Sequence, residues 1–410
     1  MFRKISVICF FSLFIFIVGC SSDTEGSDET NNDEQITITW WDSQALEPMV
    51  QAMESLIEDY ESANPNVEIE RTFVPFADIK DKLLLGAASD ELPDIVMIDG
   101  ADHQEFASSG VLEDITEEVT AWGEIDQYFE APLSHVIYDE KYYGIPADTN
   151  NLALYYNADM LNDAGLEAPT TWEELEEAAE ALTSENVFGF AIAAIKGEQL
   201  TYQHLPFLWQ SGADMQELNS KETIDMLNYL NGFLDNGYMS RDTLTQDQQA
   251  TFEQFMSGRV AMVMSGPWQL PIIKEEASFD WGLVPLPVGQ NESTIVGGSD
   301  WAITSNSENK DIAWDILEFS QQPEYLIPFL QAGGRLPTRE DISDDSYWTE
   351  DEHMKVFADQ TPIAKARAYG SNYPAISEAF QEMVQEVYTG SKSSEQAAEE
   401  ASKRINELLD

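Results

Sequence analysis

Cysteine, histidine and basic side chains are scarce in this 410-residue chain: two cysteines, four histidines, and 20 Lys plus Arg against 76 Asp plus Glu. Cys9 lies inside an apolar leader and Cys20 at its end, so removal of the leader leaves one thiol and no disulfide within the chain. A chain without disulfides must rest on a large apolar core, which about 375 folded residues can supply. His103, His135, His204 and His353 are dispersed without metal-ligand spacing and read as surface residues. No metal or organic cofactor is expected. No His-Glu-x-x-His, Gly-x-Ser-x-Gly or Gly-x-x-x-x-Gly-Lys run occurs, which removes the common metalloprotease, serine hydrolase and nucleotide-loop signatures. The shortage of cations has its own consequence. Loss of Arg3 and Lys4 with the leader takes the net charge from −56 to −58, a field that repels nucleic acid and anionic lipid.

What is present begins with an export signal. Met1 to Lys4 is a short basic start, Ile5 to Val18 is mostly apolar, and Ile17-Val18-Gly19-Cys20 closes the segment. The run is shorter than the ~20 residues of a membrane span, and Gly19 is a small residue at the cleavage position. Cys20 resembles the diacylated cysteine of a bacterial lipoprotein, with Ile17 where leucine is usual. Residues 1–19 are thus read as a signal peptide and 20–35 as an acidic tether too poor in apolar residues to fold. The remaining acidic residues are scattered among apolar segments such as Ile95-Val96-Met97-Ile98 and read as a surface adapted to high salt or alkaline medium. Molar salt shortens the Debye length to about 3 Å, which makes such like charge tolerable.

From residue 36 the pattern is mixed α/β. Ile36 to Trp41 alternates as a strand, and Met49, Met53, Leu56, Ile57 and Tyr60 fall at helical spacing until Asn64-Pro65. Val67 to Glu70 alternates again, 79–88 reads as a helix, and Pro93 to Ile98 as a buried strand. A β-α-β-α-β succession implies a largely parallel sheet, whose ligands bind at the carboxyl ends of strands. Here those ends are the loops Trp41-Asp42-Ser43-Gln44 and Asp99-Gly100-Ala101-Asp102. Further on, Leu152 to Asn157 reads as a strand, and Thr171-Trp172-Glu173-Glu174 as a capping box opening a helix to about Thr183.

With these elements in order, the chain resembles the extracellular solute-binding proteins of ATP-binding cassette (ABC) importers, in the large carbohydrate-binding family that includes maltose-binding protein. The resemblance rests on Trp40-Trp41, Pro93-Asp94-Ile95, Phe106 to Gly110 with Leu112, and Tyr143-Gly144-Ile145-Pro146 followed by Leu154 to Asn157. It continues through Thr171 to Leu175, Gly266-Pro267-Trp268, Gly297-Gly298, Gly334 to Thr338, and Ala366 through Tyr373 to Phe380. It implies a type II periplasmic-binding-protein-like fold: two α/β lobes, each a mostly parallel sheet flanked by helices, joined by hinge strands around a ligand cleft. The lobes are expected at 36–148 with 298–345 and at 149–297 with 346–410, and crossings near Asp148 to Leu152, Val296 to Ser299 and Tyr347.

A pyranose has an apolar face and a rim of hydroxyls, so its site needs aromatic faces with planar amides and carboxylates. Trp268 matches the position of a sugar-stacking tryptophan in the family. Alternation sends one of Trp40 and Trp41 to the core and the other to the cleft, with Trp41 the candidate for the cleft. Asp42, Ser43, Gln44 and Asp99 are the polar candidates at strand ends. Asn150 stands where maltose-binding protein has a ligand-contacting glutamate, a departure that points away from maltose, with Asp148 beside it as a substitute. Tyr202 and Trp209 lie where the second lobe contributes contacts, Gly298 and Trp301 at a hinge, and Arg335 and Tyr373 in family motifs near the cleft. Cys20 is the lipidation candidate.

The function implied is capture of a neutral mono- or oligosaccharide and delivery to an ABC permease with its cytoplasmic ATPase, by a monomer held at the outer face of the cell membrane. A cell-surface glycan hydrolase using paired carboxylates, and a ligand receptor for a sensor kinase, are the rival readings.

Overall fold

A computed structural model describes residues 35–367 and 369–409, and the leader, Cys20 and most of the acidic tether lie outside the described residues. The unit Ile36–Asp410 is built on two sheets. In the first, strand Ile36–Asp42 runs parallel to Val67–Phe73 on one side and to Ile95–Asp99 on the other. Ser299–Ile303 then pairs antiparallel with Ile95–Asp99, and Ile145–Pro146 antiparallel with Ser299–Ile303. The second sheet has the order Trp281–Pro285, Ala153–Asn157, Val260–Ser265, Phe188–Ala191, and its one parallel pairing is the last.

Both sheets are therefore mixed. The β-α-β-α-β stretch is parallel because right-handed crossover helices return each strand in the same direction. The strands that follow a crossing between sheets, Ala153–Asn157 and Ser299–Ile303, instead enter antiparallel to their new neighbours.

The local readings explain the elements. Helix Glu47–Ala63 buries Met49, Met53, Leu56 and Tyr60, one stripe at helical spacing, and Pro48 sits in its first turn. Helix Pro323–Ala332 packs on it, and helix Lys310–Ser320 lies near strand Ser299–Ile303. Thr171 caps helix Trp172–Leu182 by accepting from Glu174 N at 3.2 Å. The Glu174 carboxylate does not complete the box on Thr171. It takes the backbone N–H and hydroxyl of Thr170 at 2.8 and 2.7 Å, bonds that hold its pKa below the usual carboxylate value.

Helix Glu198–Gln210 is buried all round from Leu200 onward and forms the centre of the second lobe, with helices Tyr373–Tyr388 and Lys221–Asp235 against it. Three of the four histidines, expected at the surface, are in the interior. His204 sits in this helix, with Nδ1 at 2.8 Å from Leu200 O and Nε2 at 2.9 Å from Tyr388 Oη, while His103 and His135 pack beside the first sheet. A neutral imidazole can be buried as readily as an amide, so a histidine's location is not fixed by its type.

Two crossings run side by side between the sheets. Asn150 N and Gly297 O, Gly297 N and Asn150 O, and Ala147 N and Ser299 O are hydrogen-bonded at 2.8–3.0 Å. The pair Thr294–Ile295 and Ala364–Lys365 adds a short parallel ladder. Helix Met354–Asp359 lies against strand Trp281–Pro285 of the second sheet. Helix Gly100–Ser108, which follows a strand of the first sheet, touches helix Tyr373–Tyr388 of the second lobe, so the cleft is closed at that side.

Candidate functional site

The carboxyl ends of the first sheet's parallel strands and the amino end of helix Glu198–Gln210 face one another across a cleft of about 400 Å³. Its floor is the hinge: Asn150, Gly297, Gly298 and Ser299. Gly298 is at φ +138, where a Cβ would lie 2.2 Å from Asp148 O, so this backbone conformation needs glycine. Asn150 Oδ1 accepts from Tyr202 Oη at 2.6 Å, which leaves the Asn150 amide nitrogen free to donate.

Trp268 forms the aromatic wall. Its ring folds back over Gly266, where a Cβ would fall 1.9 Å from the ring, and lies 6.4 Å from the Tyr202 ring centroid. The Gly-Pro-Trp sequence thus acts locally: the glycine admits the ring and the proline opens a 3-10 turn beneath it. Six planar amides line the cleft with it, on Gln44, Asn150, Gln199, Gln248, Gln249 and Gln269. Gln269 donates to Gln249 Oε1 at 3.3 Å, and its own Oε1 is buried without a partner.

Charge enters the cleft as Asp99, Glu198, Asp247, Arg335 and Arg367. Arg367 is almost wholly buried and joins the two lobes. Nη1 donates to Glu198 Oε1 at 2.5 Å and Nη2 to Asp99 Oδ1 at 3.2 Å. Burial alone would lower its pKa, but Asp99, Tyr373 and Glu198 more than offset this and hold it charged. Glu198 takes two further donors, since Tyr373 Oη and Ser377 Oγ each donate to it at 2.5 Å, which fills three of its roughly four acceptor sites. Asp148, just behind the floor, is fully buried with neither carboxylate oxygen hydrogen-bonded. Desolvation raises its pKa, against the pull of Arg335 and of the Ser299 backbone N–H.

Of the expected residues, Ser43, Gln44, Asp99, Asn150, Tyr202, Trp268, Gly298 and Arg335 line the cleft. The others lie elsewhere, for identifiable reasons. The first sheet is covered on both faces, so alternation sends Trp40 to one core and Trp41 to another. Trp40 packs edge-on to Trp301, which is likewise buried, and Trp41 sits half-buried under Lys82 Nζ at 3.6 Å. Asp42 is the buried partner of Arg71, at 2.6 and 2.7 Å. Trp209 is in the second core with Nε1 donating to Tyr369 Oη, and Tyr373 is buried on Glu198. Asp148 supports the floor from behind.

Sequence reading did not name Phe76, Glu198, Gln199, Asp247 to Gln249 or Gln269 as site residues, and it named Arg367 only among the few cations, with Arg335 and Lys365, that could stand in the cleft. Glu198 and Gln199 stand one helical turn before Tyr202, and Gln269 follows Trp268, so proximity to a named candidate was the available signal. Arg367 carried only its rarity as a cation.

Residues 55–356 match the family of bacterial extracellular solute-binding proteins. The chain belongs to that family. It is 23% identical over 363 residues to a putative binding protein of Brucella abortus (85% of this chain, 88% of that one). It is 23% identical over 335 residues to the multiple sugar-binding protein of Streptococcus mutans, covering 76% of each. Among solved structures, an ABC transporter solute-binding protein of Thermotoga lettingae bound with α-D-tagatose superposes with a TM-score of 0.84 at 26% identity, over 92% of this chain and 100% of that one. The family consists of binding proteins, not enzymes, and the type II two-lobed fold is theirs. As in other solute-binding proteins, the cleft between the lobes is the place to look for a ligand.

Proposed function

We propose that this solute-binding protein captures a neutral mono- or oligosaccharide in the cleft and delivers it to the permease of an ABC importer, as a monomer tethered to the outer face of the membrane through lipid on Cys20. The observation that carries this reading is the pairing of the Trp268 face with six planar amides. An aromatic ring takes the C–H face of a sugar, and an amide both gives and accepts hydrogen bonds as a hydroxyl requires. The lining charges, three carboxylates against two guanidiniums, together with the −58 field of the mature chain, oppose an anionic solute. The multiple sugar-binding relative and the tagatose-bound neighbour make sugars the first ligands to try.

The test is a thermal-shift screen of residues 36–410 in molar salt, against D-tagatose, maltotriose and galactooligosaccharide, with gluconate and sn-glycerol 3-phosphate as anionic controls. A ligand at 100 times its Kd adds about 2.7 kcal/mol of stability. Stabilisation by a neutral sugar that is recovered unchanged supports the reading, and stabilisation by the anions alone overturns it. For the tether, Cys20→Ser should move the protein from the membrane fraction to the medium; retention at the membrane refutes the lipid.

A further inference from the structure

Every arginine among the described residues except Arg335 donates a side-chain hydrogen bond to the protein. Arg71 binds Asp42, Arg241 binds Tyr388 O, Arg259 binds Ser257, Arg339 binds Glu124 and Asp341, Arg367 binds Glu198 and Asp99, and Arg404 binds Glu378 and Glu382. Arg259 too lacks a carboxylate partner, but it is at the surface and still bonds Ser257; Arg335 alone of these makes no side-chain hydrogen bond, although it lines a cleft among 76 acidic side chains. Arg335 lines the cleft, only 18 % exposed, and its Nε is buried with no partner.

Its backbone, in contrast, is pinned. Arg335 N donates to Leu330 O at 2.8 Å, Trp348 Nε1 donates to Arg335 O at 2.8 Å, and Leu336 N ties the next residue to Thr149 O in the hinge at 2.9 Å. The preceding Gly334, at φ +62, packs so closely that a Cβ would lie 2.5 Å from Pro267 O, which puts this loop against the loop of Trp268. The backbone from which the fork extends is therefore fixed, while the donors of the fork itself are unused.

Its charge, however, is matched. Asp148 Oδ1 lies 3.9 Å from Arg335 Nε, too far for a hydrogen bond but close enough for strong attraction in a buried setting. No other side chain pairs with the Asp148 carboxylate, and only the Ser299 backbone and Arg335 favour its charged form, so Arg335 is its counter-charge.

From this separation of charge and hydrogen bonding we propose that Arg335 is the specificity-determining residue of the cleft, reading two adjacent hydroxyl oxygens of a neutral sugar ring stacked on Trp268. This deepens the solute reading above and rests on it. A guanidinium fork matches two neighbouring acceptor oxygens bidentately. A carboxylate or phosphate would fit the same fork, but would place a second anion beside Asp148. The Asp148 carboxylate thus acts as a positioning residue that selects hydroxyls over anionic oxygens.

The experiment is titration calorimetry of wild type, Arg335→Lys, Asp148→Asn and the double variant Arg335→Gln/Asp148→Asn, with D-tagatose, maltotriose, gluconate and sn-glycerol 3-phosphate. Arg335→Lys keeps the charge and loses the fork, and should weaken the neutral sugar by about 10- to 100-fold with an unchanged melting temperature. Asp148→Asn frees the positive charge and should shift the ratio of neutral to anionic affinity toward the anions. The double variant removes both charges, so it should fold like wild type and still lose the sugar. Equal sugar affinity in Arg335→Lys, a wild type that prefers the anions, or an unchanged ratio in Asp148→Asn overturns the proposal. A wild type that binds none of the four overturns the solute reading itself and this inference with it.

Discussion

Replacing Gly298 by alanine tests whether the hinge geometry is as tight as it looks. Two separate costs are expected. The residue sits at φ +138, a conformation side chains rarely adopt, and holding a non-glycine residue in such a region costs about 1–3 kcal/mol. The added Cβ also meets Asp148 O at 2.2 Å and Thr149 Cα at 2.9 Å. Both are main-chain atoms, so relief requires the two crossings to separate. That strains the bonds from Ala147 N and Asp148 N to Ser299 O and from Gly100 N to Gly298 O, at 2.8, 3.1 and 3.1 Å. Losing two of these costs about 2 kcal/mol, for a total near 3–5 kcal/mol.

With unfolding entropy near 2.1 cal/mol/K per residue over about 375 residues, this lowers Tm by about 4–6 °C. Gly390→Ala is the control, because Gly390 is also at positive φ (+71) but has no atom within 4 Å of the Cβ position. It should cost only the left-handed strain, about 1–2 kcal/mol or ~2 °C. Thermal unfolding followed by circular dichroism in molar salt gives both numbers. If the two variants melt together, the clash at the hinge does not exist and the account of this crossing is wrong.

Trp268→Ala should reduce affinity for a stabilising sugar by about tenfold or more through loss of the stacking face, with little change in Tm because the ring is only partly buried; calorimetry decides it. Arg71→Ala leaves Asp42 buried without its counter-charge and should destabilise the chain by about 3–5 kcal/mol, read from the denaturant midpoint, whereas Arg71→Ala/Asp42→Asn should recover much of the loss. Burial pushes the His204 imidazole down to about 4, below its ordinary 6.5, so the unfolded chain takes up a proton first as pH falls. Stability contributed by neutral His204 is present above pH 6.5 and is lost progressively toward pH 4, about 3 kcal/mol in all. The difference in denaturation midpoint between wild type and His204→Asn over that range should therefore narrow on acidification, and a constant difference would refute the assignment.

Elements that follow from local periodicity could be read in the sequence. The stripe from Met49 to Tyr60 and the alternation from Ile36 to Trp41 are short-range consequences of one buried face, and the helix and strand are there. The topological rule for strand ends reached Ser43, Gln44 and Asp99, which lie past or at the last paired residues of parallel strands. It could not decide Trp41 or Asp42, because a sheet covered on both faces leaves its alternating residues no open side. Aromatic supply was equally ambiguous: Trp209, Trp301 and Tyr373 have the same chemistry as Trp268 but lie in the core. The pairing of Glu198 with Arg367 was beyond sequence reading for a different reason. Their role depends on a contact between residues 169 apart in the chain, and only tertiary structure brings them together.

The placement of these residues says how closure and binding are coupled. Asn150, Gly297, Gly298 and Ser299 are floor and hinge at once, so any contact they make with a ligand would vary little with a movement of the lobes. Ser43, Gln44 and Phe76 come with the first sheet, whereas Trp268, Gln249 and Ile272 come with the second lobe, so the walls of the cleft are supplied by both lobes. A ligand shifts the equilibrium only by its differential affinity for the two states, and that difference must reside in the walls rather than the floor. The Asp99–Arg367–Glu198 bridge also spans the walls. Its donors and acceptors are engaged largely with one another, which leaves fewer of them to discriminate among sugars. Selection then falls to groups whose hydrogen-bonding capacity is still open: the amides, the Trp268 face and the Arg335 fork.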